Sequence, residues 1–243
     1  MISRDKMRPR VLGGLGIVLL TWALWKSTAT RTAALATGVF VGSPALAAAD
    51  EVRTFAVSVD GRPSGTYTVS TAAAADGTES VTVAADVKVK TTFLTYTYEL
   101  RSVETWRAGR LVSVEAKSND NGKVRTVNAT ARDGKLAVTV NKATHTVAAE
   151  VVTSTGVRPP GGDKPAQAIY FDVEDGAGTP VRVEPVGPRR VALDGRPIDG
   201  QGYKLSGKDV ACEWWYDAGG GAIRQEMTWD GRKVVFELTA VRK

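Results

Sequence analysis

The sequence predicts an all-β fold, an antiparallel meander that forms a strongly curved sheet or half-open barrel. Three observations lead there. Apolar and polar residues alternate with a period of two, turn dipeptides recur along the chain, and no long segment after Asp50 shows the helical period with its caps. Curvature or closure is expected because a sheet of many strands seldom stays flat.

The alternation begins at Phe55, Val57 and Val59, continues through Tyr67 and Val69, and is clearest at Val81, Val83, Ala85, Val87, Val89 and Phe93. Between those last six stand Thr82, Ala84, Asp86, Lys88, Lys90 and Thr92. One face is apolar and the other wet, as in a sheet that covers a core on one side. Leu94, Tyr96, Tyr98, Leu100, Ser102, Glu104 and Trp106 share the next face, followed by Val112, Val114 and Ala116, and near the end by Val234, Phe236 and Leu238. By this template the chain carries roughly ten to twelve strands. Asp60-Gly61, Asp76-Gly77, Asn121-Gly122, Asp133-Gly134, Asp175-Gly176, Asp194-Gly195, Asp199-Gly200 and Asp230-Gly231 supply the turns, since such pairs tolerate positive φ and favour tight hairpins. Asp-Gly-Arg recurs at 60–62, 194–196 and 230–232, but the spacing is irregular, so reuse of one turn chemistry explains it better than a duplicated half-domain.

The run Gly156-Val157-Arg158-Pro159-Pro160-Gly161-Gly162-Asp163 cannot continue a central strand, because its prolines lack the ladder donor. A long Pro/Gly loop or crossover near 154–166 therefore divides the meander into 51–152 and 179–243. At most one or two short helices are expected, with 164–172 the place for one.

Residues 1–49 read as an export leader and 50–243 as a single β domain. Arg4, Lys6, Arg8 and Arg10 precede an apolar stretch over 11–25, and small residues close the region at Ser43-Pro44-Ala45-Leu46-Ala47-Ala48-Ala49. The apolar stretch is shorter than the roughly 20 residues a membrane-spanning helix needs, so cleavage after Ala47 or Ala49 is expected, with no stable span afterwards. A second signal-like unit, basic at Lys26 and Arg31 and apolar over 33–41, sits inside the first, which implies a long leader or a start downstream of Met1. No cysteine lies near the cleavage point, which excludes a lipid-anchored lipoprotein. The expected location is the periplasm or the medium.

Most of the positive charge belongs to the leader: residues 50–243 hold 26 Lys and Arg against 25 Asp and Glu. A near-neutral domain offers no basic footprint for nucleic acid. Cys212 is the only cysteine, so no intramolecular disulfide can form, and His145 is the only histidine. These two cannot supply the three or four ligands of a zinc site. Asn119-Asp120-Asn121-Gly122 lacks the closing Glu of a calcium loop, where Thr130 stands instead, and reads as a hairpin turn. Gly219-Gly220-Gly221 lacks the Lys-Ser or Lys-Thr of a phosphate loop. No metal and no cofactor are expected. His145 shares a face with Val147, Ala149 and Val151, the setting of a half-buried structural histidine, and Cys212 shares one with Val210, Trp214 and Tyr216, the setting of an inert thiol.

The most informative segment is 94–106. Glu104 falls on the apolar, aromatic side with Tyr96, Tyr98 and Trp106, where an unpaired charge is costly to desolvate. Either it braces the barrel through buried donors or a strand end, or it orients a ligand in an apolar pocket. Candidate ligand-binding residues are Glu104, Tyr96, Tyr98, Trp106, Trp214 and Tyr216, and no catalytic residue is assigned. A glycosidase-type carboxylate pair would need a second inward acid, and Glu115, Glu213 and Asp217 all alternate outward.

Phe55-x-Val57-x-x-Asp60-Gly61 with Gly65, Val87-Lys88-Val89 running to Phe93-x-x-Tyr96-x-Tyr98, Glu104-x-Trp106 with Gly109-Arg110-Leu111, Asn119-Asp120-Asn121-Gly122-Lys123, Trp215-Tyr216-Asp217 and a closing strand after Asp230-Gly231 form an ordered series. It resembles the exported bacterial family known as domain of unknown function 6134. The central Pro159-Pro160-Gly161-Gly162 departs from that family's pattern. The resemblance implies export and a β fold, and no activity. Two functions are expected in order: an exported module that binds a lipid or other apolar small molecule in its curved sheet, and a structural or partner-binding protein of the cell envelope. An enzyme using carboxylates and tyrosines comes last.

Overall fold

The alternating segments form strands in a computed structural model that describes residues 50–90, 95–162 and 164–243. The leader expected over 1–49, and Phe93 and Leu94 of the alternating series, lie outside the described residues. The strands are β1 (Glu51–Val59), β2 (Arg62–Ala73), β3 (Thr78–Lys90), β4 (Thr95–Arg107), β5 (Arg110–Asp120), β6 (Lys123–Arg132), β7 (Lys135–Val140), β8 (Ala143–Ala148), β9 (Val151–Thr153), β10 (Ala166–Phe171), β11 (Gly178–Leu193), β12 (Arg196–Gly207), β13 (Val210–Tyr216), β14 (Ala222–Trp229) and β15 (Arg232–Arg242).

All of them belong to one sheet, in the order β8-β7-β6-β5-β4-β3-β2-β1-β15-β14-β13-β12-β11-β10-β9. Two meanders run outward from the β1–β15 pair, in which Phe55 faces Leu238 and Val57 faces Phe236. Every neighbouring pair is antiparallel except β9 and β10. The chain passes from β8 to β9 through Ala149 and Glu150 alone, which brings the two edges of the sheet together into a nearly closed barrel. Side chains close this seam. Val147 of β8 lies where any side chain at Gly178 would stand, against Ile169 of β10, and the His145 Nε2 sits 2.9 Å from the Gly176 carbonyl.

The inward residues include those the alternation marks, among them Phe55, Val57, Val83, Trp106, Val114 and Leu238, and also Leu136 and Leu205, all buried. Hairpin turns fall where Asp-Gly or Asn-Gly places them, with both residues at positive φ at 60–61, 121–122, 133–134, 194–195 and 230–231. Asp199-Gly200 is different: it lies inside β12, paired with Arg190 and Arg189, and Gly200 is bare because Ile223 of β14 packs against it.

Three expectations need correction. The sheet has 15 strands against the ten to twelve expected, because it includes short pieces such as β7, β8 and β9, at 6, 6 and 3 residues. No helix forms at 164–172. Residues 166–171 are β10, whose Ile169-Tyr170-Phe171 run is bonded to β9 on one side and β11 on the other, and β-branched and aromatic residues suit a strand bonded on both edges. His145 is exposed at the seam rather than half-buried. Its strand is an edge, and of that face Val147 and Val151 pack against the core.

Candidate functional site

β4 carries Glu104 inward, as its parity requires, and the residue is 0% exposed. Its carboxylate accepts three hydrogen bonds: from the Thr155 hydroxyl at 2.5 Å, the Thr153 hydroxyl at 3.1 Å and the Trp106 indole nitrogen at 3.0 Å. Burial pushes its pKa above the ordinary carboxylate value, against those three donors and the nearby charge of Arg158, which favour the ionised form. Thr153 ends β9 and Thr155 belongs to the expected Pro/Gly loop, whose first part runs through the barrel instead of over its surface. They are 4% and 3% exposed.

Other strands grip the same stretch by its backbone. The Tyr67 hydroxyl of β2 donates to the Thr155 carbonyl at 2.8 Å, and the Tyr216 hydroxyl of β13 donates to the Gly156 carbonyl at 3.0 Å. The Gln225 amide of β14 reaches both carbonyls, at 3.0 and 3.2 Å. Residues 153–157 therefore form an internal strap that leaves the ladder after Thr153 pairs with Phe171 and Ser154 donates to the Phe171 carbonyl, and the Thr155 and Gly156 carbonyls beyond it are satisfied by side chains that three strands project inward. Gly156 turns the strap with φ of +60°, and a Cβ there would stand 2.6 Å from the Gln225 nitrogen and 3.1 Å from Trp214. Where the strap leaves the interior, the Arg158 guanidinium lies 5.1 Å from the centre of the Trp106 ring and pairs with Glu79.

The six residues singled out by sequence thus fall into two groups. Glu104, Trp106, Trp214 and Tyr216 surround the strap. Trp214 stacks on Tyr170 with ring centres 6.2 Å apart. Tyr96 and Tyr98 stand six to eight residues from Glu104 along β4, at least about 20 Å away at the rise of a strand, and line the opposite mouth. There the Tyr96 hydroxyl donates to Asp120 at 2.6 Å and its ring meets Trp229 at 5.0 Å. Tyr98 faces Glu174 in the turn between β10 and β11. Thr153, Thr155, Tyr67, Gln225, Asp172 and Glu174 were not singled out by the sequence.

Two surface depressions, of about 500 and 410 Å³, lie elsewhere: one at Val59, Arg62, Ser64, Lys88 and Arg232, the other at Ala56, Ser58, Arg224 and Val235. Neither includes any of the six residues. Among the described residues no group of three or more His, Cys, Asp or Glu is placed to hold a metal.

Cys212 is buried inside the barrel beside Trp214, and desolvation pushes its thiol up to about 12. The native protein should therefore resist alkylation at pH 8, since the thiolate is the reactive form. Cys212→Ala should cost roughly 1 kcal/mol in an unfolding titration. Rapid labelling of the folded protein would contradict the burial.

Fold and site together define a class: a nearly closed, antiparallel β-barrel-like domain whose interior is crossed by its own chain. The family model for domain of unknown function 6134 (DUF6134) matches residues 55–239, and the chain belongs to that family. Among solved structures it is similar to a beta-barrel-like protein of domain of unknown function DUF1849 from Brucella abortus. The TM-score is 0.59 at 12% sequence identity, covering 81% of this chain and 98% of that one, a likeness of fold. A comparison with curated proteins finds no match.

Proposed function

We propose that this chain is an exported protein of the bacterial cell envelope that acts as a structural or partner-binding module, with its barrel interior occupied by its own strap. The observation that carries this reading is the convergence of Glu104, Tyr67, Tyr216 and Gln225 on residues 153–157. A lipid in the same space would displace the strap and leave a carboxylate, two phenols and an amide facing hydrocarbon. Each such orphaned group costs about 1–3 kcal/mol, more for the carboxylate. An apolar ligand therefore suits this interior poorly. Acid–base chemistry at Glu104 suits it no better, because all three donors around the carboxylate are the protein's own. Export is supported by the basic, apolar and small-residue sequence over 1–49, and by β1 starting at Glu51, just beyond the expected cleavage points. Among the described residues no helix is long and apolar enough to cross a membrane.

The test is native mass spectrometry of the exported protein, combined with sequencing of its N-terminus. The expected result is a chain starting at Ala48 or Asp50 with no stoichiometric lipid. A copurifying lipid at one per chain would overturn the self-filled barrel in favour of a carrier. An intact Met1 on exported protein would remove the leader.

A further inference from the structure

We propose that the turn joining β10 to β11 is a proton-sensitive lid on the barrel mouth opposite Glu104, closed while its carboxyls hold protons and released when they ionise. This goes beyond the proposed function and does not depend on it. The turn, residues 172–177, holds its shape through the Asp172 N–H, which donates to the Ala177 carbonyl at 2.9 Å, and the Gly176 N–H, which donates to the Asp172 carbonyl at 2.8 Å, with one side-chain oxygen each of Asp172 and Asp175 accepting from the Glu174 and Ala177 amides at 2.8 Å, as a carboxyl can in either protonation state. Between the acids Val173 is 0% exposed, an apolar plug under the turn. The same turn helps to close the barrel seam, because the Gly176 carbonyl faces the His145 ring of β8 and Gly178 packs on Val147. That seam has no ladder bonds between β8 and β9, so whatever frees the turn also loosens the one junction of the barrel held by side chains.

The charges around the turn conflict. Glu174 faces Asp172 and Asp175 of its own turn and Asp120 of β5, with the Tyr98 hydroxyl of β4 beside it. Asp120 in turn holds the hydroxyl of Tyr96, and Asp230 adds its charge near that ring. Tyr170 of β10 stands close to Asp172 and Glu174, and Arg125 of β6 faces Asp172 with the opposite charge. One guanidinium does not offset three neighbouring carboxylates. Burial first, and repulsion between the acids second, raise both Asp172 and Glu174 above the ordinary carboxylate range. An acid whose pKa is raised in the closed form contributes to closure below its ordinary value, and that contribution is lost as pH rises through the raised one. The lid is thus tight near pH 5 and loosens toward pH 8 and above.

Amide hydrogen exchange of the mature chain, corrected for the intrinsic pH dependence of exchange, reads this directly at pH 5 and pH 8.5. Protection over 172–178 and 143–148 should fall more than about tenfold at the higher pH, one pKa unit being a factor of ten. The Asp172→Asn/Glu174→Gln variant keeps an oxygen acceptor at 172 and removes both titrations, so its protection should change less than about twofold over the same range. Protection of β4 should hold in both proteins. A pH-independent lid in the wild type, an equal fall in the variant, or a fall shared by β4 would overturn the proposal.

Discussion

Glu104→Ala is expected to lower the unfolding free energy by about 3–5 kcal/mol, the range seen when one partner of a buried, charge-assisted cluster is removed. The alanine leaves the Trp106 indole N–H and two threonine hydroxyls without their acceptor. The Thr153 and Thr155 oxygens, 2.9 Å apart, can satisfy one another only in part. It also leaves a void in a site closed from solvent, beside a strap whose position depends on the lost bonds. Glu104→Gln separates shape from charge. Its carbonyl can still accept from Trp106 and Thr153, and its amide can donate to Thr155, so a cost below about 1.5 kcal/mol is expected. Chemical unfolding of the three proteins tests the pair. If alanine cost no more than glutamine, Glu104 would be solvated rather than a brace.

The second large effect is expected at Gly156. Gly156→Ala puts a Cβ on a residue with φ of +60°, a conformation that costs an L-residue about 1–2 kcal/mol. The added atom also stands 2.6 Å from the Gln225 nitrogen, so the amide must leave the Thr155 and Gly156 carbonyls it serves. The total should reach about 3 kcal/mol or more. Gly161 is the control: its φ is +76°, but no atom lies within 4 Å of a Cβ built there, so Gly161→Ala should show the backbone cost alone. Equal losses at the two positions in thermal or urea unfolding would mean that the strap is not packed where Gly156 places it.

The alternation in 81–89 and 96–106 made the strands, their inward faces and the buried position of Glu104 legible in the sequence, because a two-residue period reports directly which side of a sheet a residue takes. The partners of Glu104 were not legible. Thr153 and Thr155 stand about fifty positions away, in a segment where Gly156, Pro159 and Pro160 erase any period. A surface loop was the natural expectation for such a segment. Gln225 did leave a signal, since it is a polar residue on the same face as Ile223, the pattern that drew attention to Glu104. Asp172 and Glu174 left less, because a six-residue turn has no period and only the apolar Val173 between two acids hints at burial.

The motif Trp215-Tyr216-Asp217 also gains a physical reading. Tyr216 holds the strap, Asp217 pairs with the Arg53 guanidinium at 2.7 Å, and Trp215 lies under the Arg189 guanidinium, 4.9 Å from its ring centre. Each of these residues stabilises the barrel or its strap, so the family likeness in this region reflects architecture.

The central claim is that residues 153–157 are part of the barrel's core. Residue-resolved hydrogen exchange at pH 7 tests it at the amides of Thr155 and Gly156. The filled-barrel account predicts that both exchange only with global unfolding, at the free energy measured for Val83 and Val103 in the central strands. Exchange at the rate of an exposed loop, while β3 and β4 stay protected, would contradict it and leave the barrel interior open to a ligand.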